Sequence, residues 1–262
     1  MADQGRCHQR LAAHQAQEVP SEGEALRSAT RLPAPLPRSF YAREATAVAR
    51  DLLGRLLIRP FKEELLVGRI VETEAYQQDD PASHSFRGLT ARTEVMFGPP
   101  GHLYVYFTYG MHFCINVVTG NDGEGSAVLL RAVEPLEGLD VMRRHRGVTL
   151  DRLLCAGPGR LTQAFGIGRR HNGLDLVSGG DLYIAEGEPV PPARIAAGPR
   201  VGITVGMERP WRMVDATSPF LSRRTVRPAA ATARPTARRK AKGETASDPG
   251  MQRSTGPGAR RP

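Results

Sequence analysis

Apolar residues recur at helical spacing in Ala42–Leu53 (AREATAVARDLL), and Gly54 follows where a helix C-cap glycine is expected, so a helix is predicted there. The period then shortens. Arg55–Pro60 and Leu65–Tyr76 read as two strands joined by the polar Phe61-Lys-Glu-Glu64, a hairpin. Residues 77–101 carry Asp79-Asp-Pro81, Arg87-Gly88 and Gly98-Pro-Pro-Gly101, which marks a long loop, more often functional than idle within a compact domain. Leu103–Thr108 and Phe113–Thr119 are strand-like and meet at Tyr109-Gly110, predicting a tight, protruding hairpin. Ser126–Val133 is a further strand, and Pro135–Arg146, with proline in its first turn, is predicted to be a helix. A short helix around Gly157–Phe165 and closing strands at Asp181–Ala185, Arg200–Val205 and Arg212–Asp215 complete the pattern. Residues 34–222 show no internal repeat and no composition break, so the expectation is one α+β domain of roughly 190 residues.

Composition changes the picture mainly at the two ends. Residues 1–33 are polar, Gln- and Ala-rich and without sustained periodicity, so they are expected to be disordered or weakly helical. The formal charge of +9 sits in residues 223–262, which hold 11 Lys and Arg against 2 acids, whereas the other 222 residues carry 25 of each sign. That tail has almost no large apolar residues and is expected to be disordered. Its cations Arg223, Arg224, Arg227, Arg234, Arg238, Arg239, Lys240 and Lys242 are candidates for binding phosphate by counterion release; a solvated, functionless terminus is the alternative. Cys7, Cys114 and Cys155 are widely spaced, which indicates neither a disulfide framework nor a cysteine zinc site. With no apolar run of ~18 residues and no signal-peptide stretch, a cytosolic setting without membrane attachment is expected.

Candidate chemistry concentrates between Leu65 and Asn116. Alternation puts Glu72, Glu74 and Tyr76 on one face of a strand, with the two acids ~6.6 Å apart at the usual rise. If that face is buried, at least one carboxylate needs a partner or a catalytic reason to be there; taken alone, the strand favours an exposed acidic edge or an ion pair with an arginine. His84 fits a general base, a donor to a bound ring or an ordinary loop histidine. Tyr104, Tyr106, Phe107, Tyr109 and Phe113 place five rings within ten residues; strand preference explains several, but Tyr109 beside Gly110 at a hairpin tip has the shape of a wedge. No histidine carries the zinc-deaminase signature, and no metal site is indicated. Lys62 is the one lysine of residues 1–222 and stands beside Glu63 and Glu64, which argues against a Schiff base.

Arg69–Tyr76 (RIVETEAY), His84, Gly101–Asn116 (GHLYVYFTYGMHFCIN), Ala127–Gly138 (AVLLRAVEPLEG), Arg200-Val-Gly202 and Pro210–Leu221 resemble the alkyladenine (3-methyladenine) DNA glycosylase family over about Phe40–Ser222. The resemblance implies a single domain with a curved, mostly antiparallel β-sheet, flanking helices and a protruding β-hairpin. It also implies a monomeric, monofunctional enzyme, free of metal and cofactor, that flips damaged purines out of double-stranded DNA and lets water displace them. Its whereabouts would follow its substrate, in the cytoplasm at the nucleoid. On that resemblance Glu74 matches the general base, Arg131 a residue helping to hold the water and backbone, and Tyr76, His84 and Tyr106 the groups that sandwich the flipped base. Tyr109 matches the intercalating wedge, and Asn116 the pocket-floor residue that crowds the 2-amino group of guanine. Two other readings compete: a non-catalytic nucleic-acid-binding module, and a carbohydrate glycosidase using Glu72 and Glu74 as a carboxylate pair. A binding module has no reason to aim Glu74 at a polyanion, and the hairpin wedge and basic arm argue against the second.

Overall fold

Glu64–Tyr76 forms β2, a strand of 13 residues around which the sheet is built. The computed structural model describes residues 32–108 and 110–223. The other strands are β1 (Leu56–Phe61), β3 (Leu103–Thr108), β4 (His112–Thr119), β5 (Ser126–Glu137), β6 (Tyr183–Ala185), β7 (Ile195–Gly198) and β8 (Arg212–Asp215). They join in the order β3-β4-β5-β2-β1-β6, with β8 on β2 and β7 on β8, an open sheet of eight strands among the described residues. Every pairing is antiparallel. One edge of β2 serves β1 at its start and β8 at its end, and the other carries β5. Register shifts at Val67/Gly68, Ile70/Glu72 and Glu72/Thr73 are bulges, which bend a strand and curve the sheet.

The strand period of two sorts the sheet into two faces with different contents. Leu103, Val105, Ile115, Val117, Val128, Leu130 and Ala75 face the main core. The helices α1 (Arg38–Tyr41), α2 (Ala45–Asp51), α3 (Leu139–Arg146) and α4 (Pro158–Ala164) supply that core with Tyr41, Val48, Met142 and Leu161. Each such side chain contributes about 1.5–3 kcal/mol by leaving water. Thr73 ties the same face of β2 to α2 through its hydroxyl, which donates to the Ala49 carbonyl at 2.7 Å. On the opposite face the intervening residues Tyr104, Tyr106, Cys114, Asn116, Leu129 and Arg131 line a cleft, with Tyr76 at its edge.

Three expectations about elements needed correction. The helix expected over Ala42–Leu53 is shorter, α2 from Ala45 to Asp51 with Glu44 at its N-cap, a separate short helix α1 precedes it, and Gly54 follows at φ +88°. Pro135 does not open a helix: β5 runs on to Glu137, and Pro135 sits opposite Gly68 beside a bulge, one of the places where a sheet tolerates proline. The helix starts at Leu139, after Gly138 turns the chain at φ +73°. Arg200–Val205 is not a strand, because Gly202 takes φ +82° and the Val201 backbone is spent on side chains of the cleft. The strand in that region is instead β7, IAAG, whose small residues gave no strand signal. Tyr109 and Arg224, Arg227, Arg234, Arg238, Arg239, Lys240 and Lys242 lie outside the described residues, as does residue 31 and all before it. No helix among the described residues is long and apolar enough to cross a membrane.

Candidate active site

Glu72 and Glu74 are both fully buried, an arrangement that costs several kcal/mol per ion unless each oxygen is satisfied. Arg131, opposite them on β5, bridges the pair: its Nε donates to Glu72 Oε1 at 3.2 Å and its Nη1 to Glu74 Oε2 at 3.3 Å. Glu72 is then saturated from behind by Arg212 Nε at 2.7 Å, Ser222 N at 2.6 Å and the Ser222 hydroxyl at 2.8 Å. Glu74 has a different set: the Val201 N–H donates to Oε1 at 2.7 Å and the Tyr76 hydroxyl to Oε2 at 2.9 Å. Burial pushes the Glu74 carboxyl above the usual carboxylate range, against the Arg131 charge, the Val201 N–H and the Tyr76 hydroxyl, which all pull it down. A carboxylate of raised basicity beneath a cleft suits proton abstraction. Arg131 itself stays cationic, because the two carboxylates outweigh the desolvation that would discharge it.

Above Glu74 lies a cleft of about 510 Å³, a usual size for a ligand site. Its aromatic wall follows from β3: Tyr104 and Tyr106, two residues apart, stack at 5.6 Å with their planes 26° apart. His84 begins a 3-10 turn, His84–Arg87, inside the long loop, and meets Tyr106 edge-on at 4.6 Å. Its Nδ1 lies 3.0 Å from the Tyr104 hydroxyl, and Arg92 reaches its Nε2 at 3.5 Å. Packing against the wall and then the Arg92 charge pull the His84 imidazole down to about 4, so it is neutral near pH 7 even though one edge of the residue is exposed at the rim. On the floor, the side-chain nitrogen of Asn116 is buried without a hydrogen-bond partner among the described residues.

Tyr76, His84, Tyr106, Asn116 and Arg131 therefore line one cleft, and Glu74 sits directly beneath, bonded to three of its wall residues. Arg223 also borders the cleft, its carbonyl accepting from Arg212 Nη2 at 2.6 Å. Glu72 is turned away from the cavity into Arg212 and Ser222, which removes it as one member of a catalytic carboxylate pair. Sequence reading passed over the Val201 backbone, Tyr104 as the partner of His84, and Arg92. Of these only Tyr104 carried a signal, sharing a strand face with Tyr106.

The sequence model described as methylpurine-DNA glycosylase matches residues 39–219. A protein of Carboxydothermus hydrogenoformans is 51% identical over 189 residues, covering 72% of this chain and 99% of its own length. One from Burkholderia cenocepacia is 53% identical over 192 residues, 71% of this chain and 91% of its own. A third, from Methanoculleus marisnigri, is 49% identical over 191 residues, 72% and 99% respectively. All three are named "Putative 3-methyladenine DNA glycosylase". The matched span holds the whole sheet and every residue of the cleft except Arg223, and the chain belongs to the methylpurine-DNA glycosylase family.

Proposed function

We propose that this chain excises alkylated purines, 3-methyladenine foremost, from duplex DNA by hydrolysis of the N-glycosidic bond. The observation that carries the reading is a buried, raised carboxylate, Glu74, set under a slot of aromatic rings. Water attacks C1′ of the deoxyribose, Glu74 takes its proton, the C1′–N bond breaks, and the base leaves with the bonding pair. Arg131 keeps the carboxylate ionised and in place. Stacking on Tyr76, His84 and Tyr106 supplies ~1–3 kcal/mol, the scale needed to offset the few kcal/mol of flipping a damaged base. Tyr109, at the sequence position between β3 and Gly110, fills the vacated place in the stack.

Charge sets the order of substrates. Methylation at N3 of adenine or N7 of guanine makes the purine cationic and a good leaving group, and an electron-rich aromatic slot favours it. Neutral hypoxanthine and ethenoadenine gain from a proton donor at the leaving base, and a His84 with its imidazole near 4 donates poorly at pH 7, so these leave more slowly. The Asn116 side-chain nitrogen, a donor without a partner among the described residues, faces like to like against the 2-amino group of unmodified guanine and disfavours it. Lys62, the sole lysine of residues 1–222, lies in the β1–β2 turn and does not line the cleft, so no lysine of that span is placed for strand cleavage and the reading is of a monofunctional enzyme. The domain acts as a monomer, with residues 34–222 as the catalytic body and the basic tail holding it to the nucleoid. Glu74→Gln keeps shape and bonding while removing the base. It should lower release of 3-methyladenine from alkylated duplex by about 10²–10⁴-fold with duplex binding retained, and retained turnover would remove Glu74 from its role.

A further inference from the structure

One buried cation next to the cleft has no part in the reaction as derived. Arg200 and Asp80 are both without exposed side-chain surface and form a two-pronged ion pair, Nη1 with Oδ2 and Nη2 with Oδ1, the latter at 3.0 Å. The guanidinium also donates from Nη1 to the Ala75 carbonyl at 3.0 Å and from Nη2 to the Gly206 carbonyl at 3.2 Å. Its carbon lies 4.7 Å from the centre of the Tyr76 ring and 5.3 Å from that of Trp211. Tyr76 lines the cleft and Arg200 does not, so the guanidinium covers the side of the ring away from the cavity.

Those contacts gather three separate pieces of the site. Ala75 and Tyr76 end β2 directly after the base. Asp80, through its backbone carbonyl and carboxylate, accepts from the Ser83 N–H at 2.8 Å and the Ala82 N–H at 3.2 Å, and so shapes the turn that delivers His84. Gly206 closes the loop that begins at Arg200, whose next residue, Val201, gives its N–H to Glu74 and its carbonyl to Arg131. A buried ion pair is poor evidence for stability, since apolar replacements often do as well. A planar fork that stacks and pairs at once is, by contrast, something lysine cannot imitate.

Resting on the functional reading above, we propose that Arg200 is a positioning residue that sets the Tyr76 ring for purine stacking and the Val201 backbone for Glu74. The test compares wild type with Arg200→Lys, which keeps the charge and loses the fork, and with Asp80→Asn, which keeps the acceptor shape and weakens the pair. Three quantities are read: single-turnover release of 3-methyladenine at saturating enzyme, its pH profile, and affinity for a duplex carrying an abasic-site analogue, which has no base to stack. Arg200→Lys should slow release by on the order of tenfold to a hundredfold. It should also move the acid limb to higher pH, because the Val201 N–H that favours the Glu74 carboxylate is displaced, and leave abasic-duplex affinity unchanged. Asp80→Asn should move the same two quantities in the same direction by less, and it carries the test if Arg200→Lys does not fold. A wild-type rate in both variants, an unmoved acid limb, or an equal loss of abasic-duplex affinity overturns the proposal. Failure of the functional reading has its own signature, a wild-type chain that releases no base.

Discussion

Two opposed influences meet on Glu74, and their balance is open to measurement. Burial raises its carboxyl, whereas Arg131, the Val201 N–H and the Tyr76 hydroxyl lower it. A base works only when deprotonated, so activity is lost as pH falls through the Glu74 pKa. Tyr76→Phe keeps the stacking ring and removes one of the lowering contacts, so the acid limb of the single-turnover profile should move to higher pH. A limb that stays put or moves down would show that the hydroxyl does not bond the carboxylate in solution. Residues that act through strand alternation were readable in the chain: Glu74, Tyr76, Tyr106 and Asn116 fall on one face by period two. Val201 and Arg200 were not, because they act through contacts to Glu74 and Asp80 spanning 127 and 120 residues, and Val201 does so with its backbone, which leaves no trace in residue type.

At the scale of elements, the chain announces its hairpins clearly and its changes of direction poorly. A polar turn between alternating runs marked β1–β2, and the glycine after Tyr109 marked β3–β4, each to within a residue or two. The passage from β5 to α3 was misplaced, because Pro135 reads as the start of a helix when local signals alone are weighed. The switch actually belongs to Gly138, at φ +73°. An added Cβ there would collide with the Leu66 side chain and come 2.6 Å from the Leu65 carbonyl, and that backbone conformation is strained for any L side chain. Gly138→Ala should therefore destabilise the domain by about 2–3 kcal/mol, read as a shift in the denaturant midpoint at constant slope. An unchanged midpoint would mean that β2 and β5 yield at that bulge far more easily than a packed sheet does. Active-site geometry is sensitive to this joint, since β5 carries Arg131 and β2 carries Glu74.

Charge is divided unevenly along the whole molecule, and on the proposed function that division would put non-specific binding in the tail and catalysis in the body. Residues 1–222 carry as many acids as bases, and many arginines of the described body are already committed to ion pairs such as Arg38–Asp175, Arg69–Glu134 and Arg143–Asp151. Duplex DNA is held mainly by released counterions, so the cations best placed to supply non-specific affinity are those of the tail. The end of the described body is tied to the residues behind the cleft: Ser222 bonds Glu72 through both its N–H and its hydroxyl, and the Arg223 carbonyl accepts from Arg212. A truncation made after Arg223 keeps these bonds and removes ten Lys and Arg with two acids. It should flatten the log–log dependence of non-specific duplex affinity on salt by about 0.9 for each phosphate that the tail no longer neutralises. The single-turnover rate at saturating enzyme should remain that of the full chain, because every cleft-lining residue among the described residues is kept. An identical salt slope would make the tail a bystander, and a slower saturated rate would place part of it in the active site.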